Sequence, residues 1–279
     1  MKVTAVASTA ATKTASGLQA NGACSIRTWY TGAKSGNWLV RGVLMNPSLK
    51  PKIAHIFKEF LQRRAHTVAK LRLTDLDINP FLLRVLAKEL KLHSAKAIVR
   101  WLVYQRLERG TVTSFGTCLQ EIARLFSEGS AVEGADVLKR HKGRPHHIQV
   151  KSGPNTIPKE MAVRITQLLQ SAQRRNRGSV ALLGMCYGSQ ERVSSIVKKY
   201  VGVDWLVGKE FWEFVSGQPD CVLEIYKIAA RVGATFRDQK GKRLSDIVNQ
   251  KIKELTLQFE NEYGKSGERM WRAILDKNT

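Results

Sequence analysis

Two periodicities divide the chain. Between residues 50 and 127 apolar side chains recur every three or four positions. Ile53, Ile56, Phe57 and Phe60 form one stripe, Leu82, Val85, Leu86 and Leu90 a second, Ile98, Trp101, Leu102 and Tyr104 a third. Leu119, Ile122, Ala123 and Phe126 repeat the spacing a fourth time. Residues so spaced share one helical face, so each stripe predicts an amphipathic helix. Glu121 borders the fourth stripe, where it is either solvated or reaches across to a neighbouring strand. Beyond residue 135 the pattern changes. Val137 and Leu138 open a short run, Ile148 and Val150 close another, and Lys142-Gly143-Arg144-Pro145 between them carries turn chemistry, which predicts a β-hairpin.

The remainder alternates helix and strand. Thr156 is the expected N-cap of a helix that turns Met161, Ile165, Leu168, Leu169 and Ala172 inward and stops at Gly178. Ser179–Cys186 (SVALLGMC) is continuously apolar and bounded by glycines, as a mid-sheet strand buried on both faces would be. Val193, Ile196, Val197 and Tyr200 predict another helix, and the positions from Leu244 to Phe259 a long C-terminal one. The expected class is mixed α/β, a central mixed sheet flanked by helices with an N-terminal helical subdomain. Four segments are expected: a flexible basic leader over 1–36, the helical subdomain over 37–110, the α/β core over 111–235 and a helical extension over 236–279. The leader is rich in Ala, Ser, Thr and Gly and lacks both sustained periodicity and the apolar core of a secretory signal.

The hairpin also gathers chemistry. With the turn centred between Gly143 and Arg144, cross-strand partners sum to 287, so Asp136 faces Lys151 and Leu138 faces Gln149. Alternation then puts Asp136, Gln149 and Lys151 on one face and Val137, Ile148 and Val150 on the other. On residue chemistry alone, Asp136 and Lys151 are either a cross-strand ion pair or parts of a reactive site. His146 and His147 beside the turn are expected to be exposed and receive no role.

Charge narrows the partner. The 46 Lys and Arg against 23 Asp and Glu give a formal charge of +23, with eight basic residues and no acid before position 59. Such an excess suits a polyanion, whose condensed counterions are released on binding. Arg140, Lys142 and Arg144 on the hairpin and Arg174 and Arg175 at a helix end are candidate phosphate contacts, with Ser152 and Asn155 in the loop after Lys151. Cys24, Cys118, Cys186 and Cys221 show neither zinc spacing nor a disulfide framework. No apolar run approaches the roughly 18 residues of a membrane span. A cytoplasmic chain without membrane attachment is expected.

An Asp before a short hairpin, a carboxylate or its substitute two residues ahead of a Lys, and then helix and strand resemble the PD-(D/E)XK nuclease superfamily. Longer blocks resemble type II restriction endonucleases: residues 78–83 (INPFLL), 113–117 (TSFGT), 134–136 (GAD), 149–156 (QVKSGPNT) and 208–217 (GKEFWEFVSG). The resemblance implies a restriction-endonuclease-like core and Mg²⁺-dependent cleavage of double-stranded DNA at a short sequence. It implies Asp136 as main metal ligand, Gln149 as a second oxygen donor where the superfamily more often has an acid, and Lys151 beside the attacking water. Gln149 brings no charge, so Glu121, or else Glu133, is expected to complete the catalytic and metal set. A palindromic target implies a homodimer, and a restriction system implies a cognate DNA methyltransferase. The rival expectations are a degenerate, non-catalytic DNA-binding protein and a repair or modification-dependent nuclease with the same core.

Overall fold

Helix α1 (Leu49–Ala69) buries Ile53, Phe57, Phe60, Ala65 and Val68, the expected one-sided spacing continued for two more turns. It belongs to a computed structural model that describes residues 45–279; the leader expected over 1–36 and Cys24 lie outside the described residues. Helix α2 (Pro80–Leu86) starts cleanly: the Asn79 side chain accepts from the Leu82 N–H at 2.9 Å, and Pro80 has no N–H to orphan. Its expected apolar face is wrong. Leu82, Val85 and Leu90 are exposed, Val85 by 76%, while Leu83 and Ala87 enter the core. A helix this short, rich in apolar residues all round, presents two possible faces, and packing chooses between them.

Helix α3 (Ala95–Arg124) fuses the third and fourth stripes into 30 residues, with the Ser94 hydroxyl capping the Ala97 N–H, and runs unbroken through positions 110 and 111. Its first third packs with α1, α2, α8 (Leu244–Tyr263) and α9 (Gly267–Lys277) around Leu83, Ile98, Leu102, Leu255, Phe259 and Ile274. The C-terminal helices therefore share one core with the N-terminal ones.

The sheet has four strands in sequence order: β1 (Val137–His141), β2 (Arg144–Lys151), β3 (Val180–Met185) and β4 (Asp204–Val207). The β1–β2 pair is antiparallel and the next two pairs are parallel. The apolar run at β3 sits mid-sheet, as expected. Helices α4 (Lys159–Arg175) and α5 (Ser195–Tyr200) make the parallel crossovers, and Ile165, Leu169 and Val197 bury one sheet face over Leu183 and Met185. The N-cap of α4 is Pro158, not Thr156, whose hydroxyl donates to the Gly153 carbonyl at 2.8 Å. Helix α6 (Lys209–Ser216) packs Phe211 on the other face against Gly184, and α7 (Cys221–Thr235) follows. A Cβ at residue 184 would lie 2.3 Å from the Phe211 ring and 3.2 Å from Ile148.

The hairpin turn lies one residue earlier than expected. Lys142 (φ 50°) and Gly143 (φ 77°) form a two-residue turn with both centres left-handed, which matches the twist of paired strands. Partners such as Val137 and Ile148 therefore sum to 285, not 287. A shift of one in the turn centre moves each partner by two, so the alternation of faces survives while the Asp136–Lys151 pairing does not. His146 and His147, expected exposed, are 6% and 3% exposed because β2 extends back to Arg144 and runs beneath the helices. Phe214 of α6 lies 5.1 Å from the His146 ring.

Two measurements follow from this packing. Gly184→Ala forces an overpacked contact and is expected to cost about 1–3 kcal/mol in urea unfolding. Burial holds the His146 pKa below its ordinary value of 6.5, so the unfolded chain binds the proton more readily. That contribution to stability is complete above pH 6.5 and is lost as pH falls towards the folded value. Melting temperatures followed from pH 8 downward should drop below about 6.5, and His146→Phe should flatten the decline.

Candidate active site

Asp136 precedes β1 at the point where the hairpin ladder ends. Its N–H donates to the Ile148 carbonyl at 2.7 Å, and its Oδ2 accepts from the Val150 N–H at 2.8 Å. The carboxylate is thus fastened to the β2 backbone between Gln149 and Lys151. Its Oδ1 takes a 2.6 Å ion pair from Arg124, the last residue of α3. The Asp136 carboxylate binds the backbone of the strand that bears Gln149 and Lys151, and the cross-strand ion pair is not formed: Lys151 has no ion-pair partner among the described residues.

Neighbouring elements hold β2 in place. Gln120 Nε2 donates to the Val150 carbonyl at 2.7 Å, tying α3 to the strand that carries Gln149 and Lys151. The Cys186 N–H donates to the Lys151 carbonyl at 2.9 Å, and the Trp212 indole N–H donates to the Cys186 carbonyl at 2.7 Å. Burial, and next the negative charge of Asp136, push the Cys186 thiol pKa upward, which keeps it protonated and unreactive. The Tyr187 ring lies over Gly153, where a Cβ would come within 2.4 Å of it. The loop after Lys151 is therefore pinned from above.

Gln149 supplies the clearest chemical signal. Its Oε1 is buried and has no hydrogen-bond partner, an arrangement that costs stability unless something electropositive satisfies it. A hard cation that keeps much of its water suits such an oxygen. Among the described residues no group of three or more His, Cys, Asp or Glu side chains is placed to hold a metal. Glu121 stands one turn before Arg124 on α3; among the described residues it has no ion pair or hydrogen bond. Glu133 turns away to Arg175 at 3.3 Å.

Of the expected phosphate contacts, Ser152 and Asn155 follow Lys151 directly, whereas Lys142 and Arg144 stand at the hairpin turn, at the opposite end of β2 from Lys151. Arg140, Lys142 and Arg144 are exposed on the hairpin, and Arg144 Nε also reaches the Gly178 carbonyl at 3.3 Å. Arg174 folds back on the Gln170 carbonyl, Arg175 is held by Glu133, Ser152 is half-buried and Asn155 is exposed. Sequence reasoning missed Arg124, Gln120 and Tyr187. Arg124 and Gln120 lie on the same helix as Glu121, and that proximity was the only available signal.

A four-stranded mixed sheet flanked by helices defines a restriction-endonuclease-like fold. The family model of the type II restriction endonuclease EcoO109I matches residues 48–233, about two-thirds of the chain. The chain belongs to that family and is a site-specific deoxyribonuclease. No curated protein sequence matches it significantly.

The Arg124–Asp136 pair is half open to water on the arginine side, so screening limits its worth. Arg124→Ala should cost no more than about 1 kcal/mol in urea unfolding. A larger loss would mean that the guanidinium supports the fold rather than the site.

Proposed function

We propose that the protein hydrolyses phosphodiester bonds of double-stranded DNA at a short specific sequence with the help of Mg²⁺. The observation that carries this reading is the buried Gln149 Oε1, without a hydrogen-bond partner among the described residues, one residue before Val150, whose N–H the Asp136 carboxylate accepts, with Lys151 one residue after it. Asp136 and Gln149 would hold the cation. When bound, it supplies positive charge that polarises the phosphoryl oxygen and acidifies the attacking water.

The chain's own residues do the rest. Lys151 orients the water and balances negative charge on phosphorus oxygens as a bond to the water oxygen forms and one to a deoxyribose oxygen breaks. Arg124 neutralises Asp136 in the free protein and is the group that a cation must share it with. Glu121 lies within one helical turn of Arg124 and is available as a further acid, whereas Glu133 is engaged by Arg175. Arg140, Lys142, Arg144, Ser152, Asn155, Arg174 and Arg175 are proposed to meet backbone phosphates around the site. A palindromic target would be cut by a homodimer with one site per strand, and a cognate methyltransferase would protect host DNA in the cytoplasm. Among the described residues no helix is long and apolar enough to cross a membrane.

Lys151→Ala should abolish cleavage of plasmid DNA in Mg²⁺ while leaving duplex binding within about threefold in fluorescence anisotropy, since one phosphate contact among many is removed. Cleavage that survives this substitution contradicts the mechanism. Wild-type binding without cleavage would instead identify a degenerate nuclease.

A further inference from the structure

A second cationic feature lies away from the reactive trio, where α1 crosses the middle of α3. Arg64 is half-buried there, and its Nε is shielded from solvent with no hydrogen-bond partner; only Nη2 is engaged, by the Thr67 hydroxyl at 3.2 Å. Room for the guanidinium comes from Gly110. A Cβ at that position would stand 2.9 Å from Arg64 Nη1, and a glycine inside a helix costs about 1 kcal/mol relative to alanine. Arg63 and Arg106 are exposed beside it, and after burial itself their fields lower the Arg64 pKa. The adjoining groove, about 450 Å³, is lined by Arg63, Arg64, Thr67 and Ser114 among others, and no carboxylate lines it.

Asp75, whose charge reaches Arg106, and Asp77 each have another arginine partner. Asp75 is held by Arg72 at 3.2 Å and Asp77 by Arg109 at 3.4 Å. Helix α1 as a whole carries five Lys or Arg and one Glu. Among the described residues none of the three guanidinium groups has an ion-pair partner, Arg63 and Arg106 both act on Arg64 by repulsion, and the planar fork of arginine fits the oxygens of phosphate.

The face of α3 gives the direction. At 3.6 residues per turn, Arg106, Gly110, Ser114, Thr117, Glu121 and Arg124 fall on one stripe, so the groove and the Asp136 contact open along the same side of the helix. Gly110 and Arg124 are separated by about 21 Å of helix, roughly six base pairs of duplex.

We propose that Arg63, Arg64 and Arg106 form a second phosphate-binding site that grips the backbone of the DNA duplex about half a helical turn from the bond cut at Lys151. The proposal rests on DNA being the substrate, as argued above. It assigns the α1–α3 groove to positioning the duplex and gives it no part in the chemistry.

The test uses the full chain in EDTA, with fluorescence anisotropy on labelled duplexes of about 8 and about 24 base pairs over a range of NaCl concentrations. On the long duplex, Arg64→Gln/Arg106→Gln should lower the slope of log affinity against log salt by about 2, and the exposed-site variant Arg106→Gln by about 1. The short duplex, occupied at the reactive end, should show no change in slope. Unchanged slopes on the long duplex, with melting temperatures near wild type, overturn the proposal. So does a melting temperature raised by inorganic phosphate in wild type and not in the double variant while the DNA slopes stay equal, which would mark a site for free phosphate. Plasmid cleavage in Mg²⁺ is scored separately: loss of wild-type cleavage with the slope change intact refutes the nuclease reading, not the phosphate site.

Discussion

The carboxylate of Asp136 is the tie on which the active end of the molecule depends. It accepts the Val150 N–H at the point where β1 leaves the ladder, and it receives Arg124 from α3 on its other oxygen. One side chain therefore joins the hairpin edge, the inner strand and the long helix. Without it, the Val150 N–H would need another acceptor beside Gln149 and Lys151. Gln149, whose buried Oε1 has no hydrogen-bond partner among the described residues, directly precedes the residue that makes this contact.

Other contacts hold the same strand in place. The Gln120 side chain on the Val150 carbonyl and the Cys186 N–H on the Lys151 carbonyl hold the β2 backbone from two neighbouring elements. Trp212 and Phe211 anchor α6 beneath it, made possible by the missing side chain at Gly184. Helix α3 extends the arrangement into the helical layer, where its first third shares a core with α8 and α9. A polyanion bound along α3 would be read by rigid elements at both ends.

Local rules made much of this legible. Alternation along Ile148–Lys151 placed Gln149 and Lys151 together, and the uninterrupted apolar run at Ser179–Cys186 located the inner strand, because both depend only on neighbouring residues. The turn was misjudged by one residue because Lys142 adopts a left-handed conformation that its residue type disfavours. Even so, the face assignment held, since the error moved partners by an even number. What escaped was long-range. The burial of His146 depends on Phe214, nearly seventy positions later, and the exposure of Val85 depends on which side of α2 the other helices meet. The Arg124 contact to Asp136 likewise joins two elements whose approach no periodicity records.

The central claim is that Asp136, Gln149 and Lys151 form a cation-assisted centre that cuts DNA at a defined sequence. Sequencing the fragment ends produced by the wild-type protein from a defined DNA, with Mg²⁺ and with EDTA, tests it most directly. The account predicts ends at one short sequence in Mg²⁺ and none in EDTA. Ends scattered without sequence preference, or the same ends in EDTA, would contradict it.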